Sequence, residues 1–202
     1  MKKKYQQNLF KLLDSIKYVG LFAVLLLSFH YLYKYWAGPL GFYPFAHQVD
    51  QLFNWASLLL LNQSTWVLEH IFQVDFYVTQ ADQTIHLSAN NGQRIFVMVS
   101  PGCTSLKQWM HWLFIMLLFP GPWKHKLWYI PLGLVIIEWV NVVRIVGLSL
   151  ALKPWPMQFH FFHDYFFKTF FYFMIFLMWL FWVEFFLEKR KKPKSSGCKP
   201  RA

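Results

Sequence analysis

The sequence predicts an all-α integral membrane protein with about four transmembrane helices, an interfacial amphipathic helix and a small external β-hairpin. Three observations carry that prediction. Of the 202 residues, 56% are hydrophobic and 22% aromatic, outside the ordinary soluble range. Apolar runs of about twenty residues recur, the length a helix needs to cross hydrocarbon. The formal charge of +11 gathers at the termini and in one short loop beside those runs, as topology signals and anionic-lipid contacts do. No aromatic-rich basic fold motif accompanies the charge, which argues against a nucleic-acid partner.

Residues 1–15 read as a basic cytoplasmic N-terminus, and Ile16 to Trp36 as the first span. Met1-Lys2-Lys3-Lys4 before an apolar stretch is signal-peptide-like, but the stretch is too long for that role and lacks a small-residue cleavage site. It is expected to be a retained anchor. Further spans fall at about 104–119, 127–151 and 165–187. The 104–119 segment is short, so its start near Pro101 lies close to the membrane surface.

Between Pro44 and Phe72, Leu58 to Leu61 are apolar, but Asn54, Asn62, Gln63, Glu69 and His70 make crossing expensive. An interfacial or partly re-entrant amphipathic helix fits that mixture. Thr84–Ser88 and Arg94–Val99 read as strands around Asn90-Asn91-Gly92-Gln93, a hairpin signal. Strands with open edges cannot face lipid, so the hairpin belongs outside the hydrocarbon. Residues 16–187 form a single membrane-embedded domain in this reading, and 188–202 a disordered basic cytoplasmic tail carrying the inert thiol Cys198.

Charge then sets the topology. If 52–72 does not cross, the N-terminal lysines, the Lys124-His125-Lys126 loop and the Lys189-Arg190-Lys191-Lys192 tail all share the cytoplasmic side. An odd number of crossings would separate the first from the last. The four-span arrangement places Cys103, Arg144 and His163 toward the outer face, with Arg144 roughly 10 Å below the helix end at Ala151.

Those three residues carry the candidate chemistry. With Ser100 as N-cap and Pro101 as the first helical residue, Cys103 falls in a first helical turn, where N–H groups and the helix dipole favour a thiolate. Lys107, four residues on, acts in the same direction. Arg144 cannot shed its charge and needs a partner or a cavity. Glu138, Asn141 and Arg144 recur at every third position, a slanted polar stripe on an Ile/Val/Leu helix. That stripe fits either a Glu138–Arg144 pair or a cationic donor for an oxyanion or carboxylate. His163 is the candidate general acid/base, with His160 an alternative; Asp164 could orient the ring or cap the last helix. The other histidines show no paired metal-ligand spacing, so no metal and no cofactor is expected. The aromatics from Phe159 to Phe186, including Trp179 and Trp182, are expected mainly to face lipid.

Pro101-Gly102-Cys103-Thr104-Ser105-Leu106, the helical Asn141-Val142-Val143-Arg144-Ile145 and the later His163-Asp164 together resemble the exosortase/archaeosortase family of membrane-embedded cysteine transpeptidases. The resemblance covers roughly Phe45 to Phe186. It implies a Cys103/Arg144/His163 triad supported by Ser105, Lys107, Glu138, Asn141, His160 and Asp164. It also implies an inner-membrane, multi-pass enzyme with its site facing outside. The implied client is a secreted protein bearing a C-terminal motif, a transmembrane helix and a basic tail. Its new C-terminus would pass to a surface glycan or lipid acceptor. The family usually has Ser-Gly after the cysteine, where this chain has Thr104-Ser105. The rival readings are a non-enzymatic membrane assembly or anchoring protein, a phosphatase of the Arg/His type and a transporter.

Overall fold

The computed structural model describes residues 2–159 and 161–188, with side chains from Ile16 to Phe186 apart from Asp164 and Lys168. Its elements are α1 (Lys2–Ala37), α2 (Ala46–His70), β1 (Phe76–Thr79), β2 (Thr84–Ser88), β3 (Arg94–Met98), α3 (Leu106–Leu118), α4 (Trp123–Leu152) and α5 (Phe167–Trp182). π-helical turns, Phe161–Phe166 and Val183–Glu188, extend α5 at both ends. The chain is a helical integral membrane protein with a small sheet, as its composition predicts. The predicted basic tail and Cys198 lie outside the described residues, apart from the end of the last π turn.

Among the described residues three stretches are long and apolar enough to cross a membrane: Ile16–Ala37, Trp123–Leu152 and Thr169–Phe186. The fourth expected span is shorter than predicted. α3 has 13 residues, about 20 Å of rise against the roughly 30 Å of a hydrocarbon core. α2 has the length to cross, but its polar residues keep it out of that set. Its buried stripe of Ala56, Ser57, Leu60, Leu61, Ser64, Val67 and Leu68 follows helical spacing and faces α4.

The hairpin is one strand larger than expected. β1 adds to β2 and β3 in an antiparallel sheet ordered β1-β2-β3. β1 is only four residues long, Phe-Tyr-Val-Thr, too short for its alternation to stand out from the surrounding loop. The predicted turn is present: Gly92 takes φ +81°, which glycine adopts without steric cost, and Ala89 N–H donates to Gln93 O at 2.8 Å. Asn90 N–H bonds Lys153 O at 3.1 Å and ties the turn to the end of α4. The inward residues Ile85, Leu87, Ile95 and Val97 pack with Leu60, Leu61 and Leu68 of α2 and Val142, Ile145 and Val146 of α4. The sheet therefore leans on the upper part of α4.

A second core joins α1, α3, α4 and α5 through Phe22, Trp112, Ile115, Phe119, Tyr129, Ile137, Phe171 and Ile175. Trp179 and Trp182 belong to it, only 1% and 0% exposed, and so do not face lipid as expected. Each fits a gap between helices: Trp179 stacks on Phe22 at 4.4 Å, and the Trp182 indole lies over Gly121. Phe161, Phe166, Phe173 and Phe181 do remain exposed.

Aromatic contacts fix which helix ends lie together. Tyr18 of α1 meets Phe119 at 6.0 Å, and His125 of α4 meets Phe186 at 4.9 Å. The start of the apolar part of α1, the α3–α4 turn and the end of α5 thus share one end of the bundle. At the opposite end Phe29 stacks on His111 at 4.5 Å, and Lys107 Nζ lies 5.0 Å from the Tyr33 ring centroid. Lys124, His125 and Lys126 lie in the first turn of α4 and not in a loop. Lys126 is buried and donates to Phe119 O at 2.6 Å and Leu117 O at 3.3 Å, closing the C-terminal carbonyls of α3.

Two glycines of α4 admit its neighbours. A Cβ at Gly133 would overlap the Trp112 indole of α3, and one at Gly147 would sit 2.7 Å from Cζ of the buried Phe167. Gly20 in α1 has nothing within 4 Å of that position. Gly147→Ala should therefore cost about 1–3 kcal/mol by overpacking, whereas Gly20→Ala leaves stability equal or higher. Thermal unfolding of the two variants in the same detergent checks this: a lower midpoint is expected for Gly147→Ala alone.

Candidate active site

The polar stripe of α4 organises one end of the molecule. Glu138 is 8% exposed and Asn141 1%, inside a helix whose other buried residues are mostly aliphatic. Each needs a partner, since an unpaired buried polar group costs several kcal/mol at the upper end of the measured range. Glu138 Oε2 accepts a short hydrogen bond from Ser105 Oγ, itself 3% exposed. Asn141 Nδ2 donates to the backbone carbonyl of Cys103 at 2.8 Å. The alternative Glu138–Arg144 pair is not formed.

Cys103 does not lie in the first turn of α3. Pro101–Cys103 is a separate 3-10 turn, Thr104 is extended at φ −70° and ψ 157°, and α3 begins only at Leu106. Two bonds hold the turn in this form: Asn141 holds the Cys103 carbonyl, and Thr104 Oγ1 donates back to Pro101 O at 2.8 Å. The helix-dipole argument for Cys103 consequently does not apply. Nor does Ser100 act as a side-chain cap; its Oγ lies 3.4 Å from Cys103 Sγ. The Thr104-Ser105 pair that departs from the usual Ser-Gly supplies two of the side-chain hydrogen bonds that anchor the turn.

Arg144 points to the other side of the stripe. Its Nη2 donates to His163 Nε2 at 2.8 Å. A guanidinium has no acceptor, so the imidazole receives this bond on a bare Nε2, and a neutral ring then carries its proton on Nδ1. Arg144 Nε is buried with no hydrogen-bond partner among the described residues. His163 lies in the π turn before α5, its ring stacked on Phe159 at 5.2 Å and 11°. His160 and the Asp164 side chain, both named as possible helpers, lie outside the described residues.

Cys103, Arg144 and His163 line one cavity of about 770 Å³. Lys107 lines it too, from the first turn of α3. Arg94 and Phe96 of β3 complete a wall that the sequence reading did not assign to the site. Their signal was the strand alternation, which turns Arg94, Phe96 and Met98 outward while burying Ile95 and Val97. Among the described residues no three His, Cys, Asp or Glu side chains gather as a metal site.

This arrangement puts a thiol, a fixed cation and an imidazole around one open space at one end of a helical bundle. Neither a curated protein nor a solved structure matches the chain. The family described as transmembrane exosortase matches it over residues 7–182, a stretch that includes most of α1 as well as the whole of the cavity's lining. The chain belongs to the transmembrane exosortase family.

Proposed function

We propose that the chain is a membrane-embedded cysteine transpeptidase. It cleaves the C-terminal sorting signal of a secreted client and passes the new C-terminus to a surface acceptor. The observation that carries this reading is the Arg144–His163 contact in the cavity that Cys103 also lines. A neutral imidazole that lines the same cavity as a thiol can take its proton once the two meet, and a guanidinium that is always charged can hold an oxyanion without giving up a proton of its own.

As the Arg144–His163 hydrogen bond opens, His163 Nε2 takes the proton of Cys103 Sγ, the sulfur attacks the scissile carbonyl carbon, and the freed Arg144 guanidinium stabilises the oxyanion that the carbonyl oxygen becomes. Collapse breaks the C–N bond, and His163 returns the proton to the leaving amine on the client's helix-bearing fragment. The resulting thioester on Cys103 is then attacked by an acceptor amine or by water, which releases the thiol. Asn141 and Ser105 position the turn that carries the sulfur; they touch no reacting atom.

The inner membrane, with the cavity facing outward, is the location that fits best. The apolar part of α1 starts, α4 starts and α5 ends at one end of the bundle, opposite the cavity, and in the sequence each of these three helix ends adjoins a basic cluster. Positive charge favours the cytoplasmic side. The client's own helix and basic tail would stand alongside with the same polarity, which brings its extracellular segment to Cys103.

Mass spectrometry of Cys103 in the active protein, acid-quenched during turnover of co-expressed secreted proteins that carry a C-terminal helix and basic tail, tests the proposal. An acyl adduct on Cys103 matching a client's new C-terminus is expected; unchanged client processing in Cys103→Ala would overturn the reading. Arg144→Lys should lower processing on the order of 10²-fold, because a point charge does not reproduce the planar fork; steady-state levels of mature client measure this. In intact cells a membrane-impermeant maleimide should label Cys103 and reach Cys198 only after permeabilisation, and the reverse pattern would invert the topology.

A further inference from the structure

The cavity has one wall made of backbone. β3 is an edge strand, since the sheet order is β1-β2-β3. Antiparallel ladder bonds fall on every second residue pair. Val99 N–H donates to Gln83 O at 2.9 Å and Ala89 N–H to Gln93 O at 2.8 Å, pairs that bracket the β2–β3 register of Ser88 with Arg94 and Thr84 with Met98. The ladder bonds of β3 therefore lie at Ile95 and Val97. The N–H and C=O groups of Arg94, Phe96 and Met98 point to the open edge.

Those three residues all line the cavity that holds Cys103. β1, the other edge of the sheet, contributes nothing to it. β3 also runs straight into the reactive turn: Ser100, two residues past its end, has its Oγ 3.4 Å from Cys103 Sγ. An open edge of alternating donors and acceptors is complementary to an extended peptide backbone and to little else. A folded domain would present side chains to it, and a lipid headgroup has no such repeat.

We infer that the segment of the client preceding the scissile bond binds as a fourth strand on the open edge of β3. The C-terminal end of β3 is the end nearest Cys103, and the client's chain must also end its approach at Cys103. The added strand therefore runs parallel to β3. Phe96 and Met98, 69% and 58% exposed, flank it on the outer face of the sheet. Main-chain pairing supplies much of the grip, so the client's side chains are read only at alternate positions. The inference rests on the transpeptidase reading for the identity of its occupant.

Full-length Cys103→Ala protein in nanodiscs provides the test, because it binds without turnover. The probes are synthetic peptides of about ten residues, long enough to cover a strand, from the segments just before the C-terminal helices of proteins secreted by the same cells. The tightest-binding peptide is then remade with a single N-methyl group at each position in turn. Losses of about tenfold or more at every second residue, with little change between them, are expected for strand addition. Phe96→Pro should weaken the unmodified peptide comparably: it deletes one outward donor and no ladder bond, as proline at a strand edge does. Uniform losses, losses without a two-residue period, or no binding by any peptide would overturn the inference. The N-methyl series does not depend on the folding of any further variant. Periodic losses without a Cys103 adduct in the active protein would keep the docking edge and remove the transpeptidase; an adduct with aperiodic losses would do the opposite.

Discussion

Three polar side chains on one apolar helix each require a partner, and the site is what results from supplying them. Glu138, Asn141 and Arg144 stand three residues apart, so each step rises about 4.5 Å and swings back by about 60° around the α4 axis. Over two steps the stripe turns by roughly 120°, which carries it from the side where α3 packs to the side where α5 packs. Ser105 and the Cys103 carbonyl arrive from the first side, and His163 from the second.

The two apolar cores hold this geometry from opposite ends. The core beneath the sheet fixes the upper half of α4 against α2, and the aromatic core fixes α1, α3 and α5 around the lower half. Gly147 lets Phe167 approach α4 one turn from Arg144, which fixes the point where the π turn carrying His163 ends. Deleting one member of the polar stripe leaves its partner buried and unpaired, so effects of such variants are not expected to add.

Much of this was legible in the chain. Spans of about twenty apolar residues, the Asn-Gly turn signal and the candidate trio all follow from local patterns that burial and turn chemistry impose. What stayed hidden was pairing at long range. Nothing local to Ser105 points to Glu138, 33 residues away, and once Asn141 holds the Cys103 carbonyl the first helical turn expected there cannot form. Trp179 and Trp182 looked lipid-facing because nearly every residue of α5 is apolar, so no polar face marks which side is outward. Lys126 looked like a topology charge because its role as a cap depends on where α3 happens to end.

The unequal lengths of α3 and α4 have a consequence for the bilayer itself. The two helices share a turn, yet one has 13 residues and the other 30, so their far ends differ by about 25 Å along the axis. Hydrophobic mismatch of this kind is relieved by thinning of the adjacent lipid. The thiol-bearing turn sits at the top of the short helix, on the floor of the step, with the sheet and upper α4 rising beside it. On the transpeptidase reading proposed above, water would reach the level of Cys103 through an indented membrane, and a client helix would present its end to the sulfur without being drawn out of lipid.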